Sequence, residues 1–149
     1  MLQAMAFKIP ESALIVVYTP ALDVLLLERA DRPGFWQSVT GGREPEDTDI
    51  LATARRELFE ETGLSEGVLT DWRVTNRYAM MPQWLPRYAP GVTQNTEHVF
   101  GFLLPERRAV ALAPDEHTAQ LWLPWQDAMT KVFSPTNRDA IGQLPRRLA

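Results

Sequence analysis

The first strongly apolar run covers residues 13–18 and is rich in β-branched side chains, which predicts a strand that stops at Thr19 and Pro20. Residues 24–29 form a second run, continuous in apolar residues until Glu28 and Arg29, and both runs read as interior strands. A turn at residues 31–34 leads to a brief strand at 35–40 that ends in Gly41 and Gly42. The period then changes from strand to helix. At roughly 100° per residue, a helix over 51–62 gathers Leu51, Ala54 and Leu58 on one arc and sets Glu57, Glu60 and Glu61 on the arc beside it. Thr48 or Asp49 is placed to cap its start, and Gly63 to cap its end in the left-handed conformation.

Beyond the helix, residues 69–78 read as a strand centred near Val74, and 96–104 as a strong one. Residues 80–86 hold Pro82 and Pro86, so no regular element is expected there. Met80, Met81 and Trp84 make this stretch suited either to lining a pocket for a flat ligand or to packing on the core. Weaker strands are expected at 109–112 and 120–123, and short helices at 125–130 and after Ser134, with Ser134 or Thr136 as cap. The order of strands, helix, strands and helix predicts one mixed α/β (α+β) domain over residues 1–149, a mixed sheet with helices on its faces.

Composition narrows the partners. The 149 residues are 45% hydrophobic and 23% charged, with a net charge of -4, so no basic surface invites a nucleic acid polymer or an anionic membrane. Without cysteine there are no disulfides, thiolate metal sites or thiol nucleophiles. Only His98 and His117 offer imidazole, so a metal would be held mainly by oxygen. The leading residues 1–10 lack a basic start and a long apolar run, which argues against a signal peptide or a span and makes the cytoplasm the expected compartment.

Three acids on one helix edge repel each other, and more strongly as the site dries. A divalent cation that prefers oxygen ligands turns that repulsion into binding, and magnesium suits the donor set. Equally, the edge can be a solvated face on which Arg56 pairs with Glu60 at i,i+4. Arg29, at the end of the second strand, is placed either to meet an anionic substrate or to form a surface ion pair.

Gly41-Gly42, the acidic turn at 44–49, and the run from Arg56 to Leu64 together resemble the Nudix box. The resemblance implies an α/β/α sandwich around a central mixed β-sheet, with a loop-helix-loop that binds magnesium or manganese. It also implies hydrolysis of a phosphoanhydride, in most members that of a nucleoside diphosphate linked to some other group. The end of the box matches throughout, whereas its start fits two registers. Counting from Gly42 puts Thr48 where the family has its first glutamate, while counting from Gly41 puts Asp47 there with one extra residue before Arg56. The second keeps an acid at the helix entry and is preferred.

On this resemblance Glu57 and Glu61 are the first metal ligands, and Glu60 is a further ligand or a water-activating base. Glu116, on the loop at 114–117, is an additional acidic ligand or base, and His117 beside it needs only a surface role. Arg56 orients an acid through a paired contact. Residues 35–41, 87–97 and 137–141 resemble a branch of the family that removes pyrophosphate from a pterin triphosphate early in folate synthesis. That likeness implies phosphate or substrate contacts at Lys8 and Arg29, a contact at Thr40, a pterin-side loop at Tyr78, Ala79, Met80 and Met81, and closure of the pocket near Ser134. The alternatives are a general nucleoside triphosphate pyrophosphatase and a non-catalytic nucleotide or pterin sensor, the latter disfavoured by the intact acids.

Overall fold

The structure is a computed structural model and describes residues 7–148. Residues 1–6 lie outside the described residues, and with them most of the leading segment read above as neither signal peptide nor span. Residue 149 lies outside as well. The two apolar runs form β1 (Glu11–Tyr18) and β2 (Asp23–Arg29), and the run before the double glycine forms β3 (Trp36–Gln37) and β4 (Val39–Gly42). Helix α1 (Ile50–Thr62) follows, then β5 (Val68–Ala79), β6 (Gln94–Leu103) and β7 (His117–Pro124). The chain closes with α2 (Trp125–Lys131), α3 (Pro135–Gly142) and α4 (Leu144–Arg147).

The strands join one mixed sheet. β1 runs parallel to β6 along its whole length, and β5 pairs antiparallel with the far edge of β6. The other edge of β1 is shared. β4 covers it from Ser12 to Ile15, and β2 reaches it only where Tyr18 faces Val24. β2 in turn carries β3 and β7, both antiparallel. As interior strands must, β1 and β2 bury both faces, with Ala13, Ile15, Leu25 and Leu27 toward one layer and Leu14, Val16, Val24 and Leu26 toward the other.

Ala54 and Leu58 of α1 complete the first layer, whereas Ala128, Ala140, Ile141 and Leu144 from α2, α3 and α4 complete the second. The result is the expected α/β/α sandwich. Among the described residues no helix is long and apolar enough to cross a membrane.

Two local expectations change. Residues 109–112 are not a strand. The side-chain amide of Gln120 takes both backbone bonds of Val110, at 2.7 and 2.9 Å, and the Ala111 N–H donates to Thr62 O. Side-chain and loop partners therefore satisfy the backbone that a ladder would have used. Conversely, the proline-bearing loop contains a 3₁₀ helix at Pro82–Arg87. Pro82 takes the first position, where no N–H is needed, and Trp84 and Tyr88 supply N–H groups to Met81 O and Leu85 O.

The break between β3 and β4 is held from the opposite layer. Ser38 is fully buried; its N–H donates to Asn137 Oδ1 at 2.8 Å and its Oγ accepts from Asn137 Nδ2 at 2.9 Å. Ser134 caps α3 by accepting from the Asn137 N–H, so the same asparagine both starts the helix and docks it. Asn137→Ala leaves two buried groups of Ser38 unpaired and is expected to cost about 1–3 kcal/mol, read as a lower urea midpoint with an unchanged slope.

Candidate active site

Helix α1 is fixed at both ends before its acids are considered. Asp49 caps the start by accepting from the Ala52 N–H, and Gly63 ends it at φ 72°, where its N–H donates to Phe59 O. With Leu58 pinned in the core, Glu57 and Glu61 project along the edge of the contact with β4. The backbone of β4 comes so near that a Cβ at position 41 would overlap the Glu57 carboxylate, so any larger residue there would displace it.

Arg56 organises the turn before the helix. Its Nε and Nη2 fork onto the two oxygens of Asp47 at 3.1 and 3.0 Å, and Nη2 also donates to Gly42 O. Its Nη1 reaches Glu57 Oε1 at 2.9 Å and Glu60 Oε1 at 3.0 Å. Asp47 accepts further bonds from Thr53 Oγ1 and the Glu44 N–H, and the guanidinium holds its carboxyl well below the usual range. Thr48 has no such part. The acid at the head of the motif is Asp47, and Thr53, which the sequence did not single out, braces it from the first turn of α1.

Glu61 is only 1% exposed, and neither of its oxygens has a partner of good hydrogen-bond geometry. Burial first, then the Glu57 carboxyl one turn back and the Glu116 charge, push its pKa upward. Burial raises Glu57 too, against the pull of Arg56. Glu116, in the loop before β7, and His117, the first residue of that strand, bring ligand atoms to within 4.8 Å of one another and of Glu61.

His117 is the principal correction to the sequence reading. It is buried at 3% exposure, with Nδ1 3.8 Å from Glu61 Oε1 and Nε2 3.3 Å from Gln37 Nε2. A β-bulge puts it there: Ala119 faces Glu28 but His117 faces Arg29, so Thr118 is the extra residue and His117 turns toward the α1 layer.

These acids meet a cavity of about 710 Å³, a size suited to a small ligand. Lys8, Arg29, Thr40, Tyr78 and Met80 line it, together with Glu57 and Glu116. Three expected contacts do not: Ala79 and Met81 are exposed outside the lining, and Ser134 is occupied as the α3 cap. Glu60 also stays outside, half-exposed on Arg56, and Glu61 lies buried behind the lining, beside Glu57 and Glu116. The sequence reading missed Asn95, whose Nδ2 donates to Tyr78 Oη and Ser12 Oγ at 2.9 Å each, and Arg43 and Arg87 on the basic side of the cavity. Arg29 realises both of its readings, since it forks onto Asp31 at 2.8 Å and still faces the cavity.

The donor set fits a hard divalent cation. Both oxygens of the buried Glu61 carboxylate lack partners, a second acid, Glu116, converges on them, and Gly41 leaves room for the Glu57 carboxylate. In the metal-free protein, the native state keeps a proton on Glu61 at pH values where the unfolded chain has released it. Stability is therefore expected to fall as pH rises from about 4.5 toward about 10. Thermal midpoints in EDTA should show this decline, Glu61→Gln should flatten it, and a saturating divalent cation should offset it most at the alkaline end.

Comparison with known proteins agrees with this geometry. The chain is 41% identical over 144 residues to dihydroneopterin triphosphate diphosphatase of Escherichia coli (strain K12), covering 92% of this chain and 93% of that protein. It is 34% identical over 142 residues to the protein of that name from Haemophilus influenzae, covering 92% and 88%. The solved structure of the E. coli dihydroneopterin triphosphate pyrophosphohydrolase superposes with a TM-score of 0.81 at 39% identity, over 92% of this chain and 95% of that one. A family model described as NUDIX domain matches residues 8–144, nearly the whole described chain, and the chain belongs to the Nudix family of phosphoanhydride hydrolases.

Proposed function

We propose that this protein hydrolyses dihydroneopterin triphosphate to dihydroneopterin monophosphate and pyrophosphate, with magnesium, or manganese in its place, held by Glu57, Glu61 and Glu116. The observation that carries the reading is the buried, unpartnered carboxyl of Glu61, which lies beside Glu57 and Glu116, two acids that line the cavity. Substrate identity is supported by the two relatives of that name and by Tyr78, Met80 and Trp84 in the cavity lining.

A bound divalent cation neutralises phosphate oxygens and lowers the pKa of coordinated water. The chain's own residues do the rest. Lys8 and Arg29 receive the triphosphate from the basic side, and Thr40 borders it next to Gly41. Arg56 keeps Glu57 and Asp47 in place. Glu60 stands one contact further out, available as an additional ligand or as the base that takes a proton from water, a part Glu116 can also fill. Tyr78, Met80 and Trp84 offer aromatic and thioether surface to a flat ring, and the Asn95 bond fixes the Tyr78 hydroxyl. The cytoplasm is the compartment in which we place the reaction.

Glu61→Gln is expected to lower kcat at least about a hundredfold while the protein stays folded by circular dichroism; unchanged turnover would remove this site from the reaction. Pterin and guanine present similar edges, so kcat/KM is to be measured side by side on dihydroneopterin triphosphate, dATP and 8-oxo-dGTP. The pterin is expected to lead, and a nucleotide in first place would assign the protein as a nucleoside triphosphate pyrophosphatase.

A further inference from the structure

A line of polar side chains joins Arg29 to Glu61 through Gln37 and His117, two residues that the reading above does not use. It begins at the cavity rim, where Asp31 takes both Nε and Nη2 of Arg29 at 2.8 Å and so fixes the plane of the guanidinium. The remaining Nη1 lies 3.4 Å from Gln37 Oε1. Gln37 is 6% exposed, and its Nε2 lies 3.3 Å from His117 Nε2. On the far side of the imidazole, Nδ1 faces Glu61 Oε1 at 3.8 Å, and neither of these buried atoms has a hydrogen-bond partner.

The direction of every link follows from its first member. Arginine has only donors, so the amide of Gln37 must turn its oxygen toward Arg29 and its NH₂ toward His117. Nε2 of the imidazole is then an acceptor, and the ring proton resides on Nδ1, where the nearest acceptor is Glu61. A histidine acting as a metal ligand through Nδ1 would need the opposite tautomer, with an Nε2–H aimed at the NH₂ of Gln37. The bulge at Thr118 serves the same end, because without it Thr118 would hold this place and His117 would turn to the other layer.

We propose that His117 is a positioning residue, neutral and protonated at Nδ1, which donates to Glu61 and aims that carboxylate at the metal, its tautomer being set by Gln37 and Arg29. The inference rests on the metal-dependent reading above. It excludes His117 from the ligand set, although its ring nitrogen stands beside two of the acids. An outer hydrogen bond of this kind orients a ligand and limits the number of conformers it must leave on binding.

Two measurements test it. ¹⁵N-histidine-labelled protein is examined by long-range proton–nitrogen correlation, in EDTA and at saturating Mg²⁺, with His98→Gln separating the two imidazoles. The neutral Nδ1–H tautomer is expected in both conditions; an Nε2–H tautomer, or loss of the Nδ1 proton when Mg²⁺ is added, overturns the proposal. Because this is read on the otherwise unaltered protein, it stands even if replacements at 117 fail to fold.

Mg²⁺ affinity by calorimetry is the second. His117→Ala is expected to weaken it about 10- to 100-fold. His117→Asn carries an NH₂ near the place of Nδ1 and should restore most of the loss, whereas His117→Gln, whose NH₂ reaches the place of Nε2, should not. Wild-type affinity in all three variants, with loss in Glu61→Gln, overturns the positioning role and leaves the metal site standing. Equal Mg²⁺ binding by the unaltered protein and Glu61→Gln would defeat the metal reading and this inference with it.

Discussion

A carboxyl group removed from water without a hydrogen-bond partner is costly, and Glu61 is held in that condition by the packing of α1 on the sheet. Leu58 and Ala54 bury one side of the helix, which draws the Glu61 position into the layer with them. Glu57 is brought against a strand whose backbone leaves no room for a side chain at position 41. Arg56 can compensate Asp47, Glu57 and Glu60 but does not reach Glu61. The helix thus separates its charges into a neutralised rim and an uncompensated interior, and that interior is where a cation contributes most to stability as well as to chemistry.

This division decides what could be read from the chain in one dimension. Periodicity was enough to put Glu57 and Glu61 on one edge and to place β1, β2, β6 and α1, because their apolar spacing is dictated by burial. The same spacing put Glu60 on that edge, yet a difference of one residue along a helix is about 100° of rotation, and Glu60 points to Arg56 instead. Asp47 over Thr48 was a matter of register in an irregular turn, where no period operates. Its preference followed from charge alone, and the Arg56 fork agrees with it.

What stayed hidden depends on contacts between distant segments. His117 follows two acids in a polar loop and reads as exposed; its burial comes from a one-residue bulge, which shifts the alternation of β7 and leaves no compositional mark. Gln37 lies in a strand of two residues, too short to show a period. Residues 109–112 carry strand-like composition, but Gln120 occupies their hydrogen bonds first. Ser134 looked like a pocket residue by likeness to relatives, although its own neighbours at 135–137 already marked it as a helix cap.

The bulge at Thr118 also bears on how this fold tolerates change. Strand register downstream of it is fixed by the ladder with β2, from Ala119 to Pro124, whereas the aim of His117 and the position of Glu116 are set on the near side by Ala113 O and the Ala30 N–H. The extra residue decouples the two. A change of length in the connection before residue 113 is therefore not passed into the β7 ladder, provided that Val110 and Ala111 keep their bonds to Gln120 and Thr62.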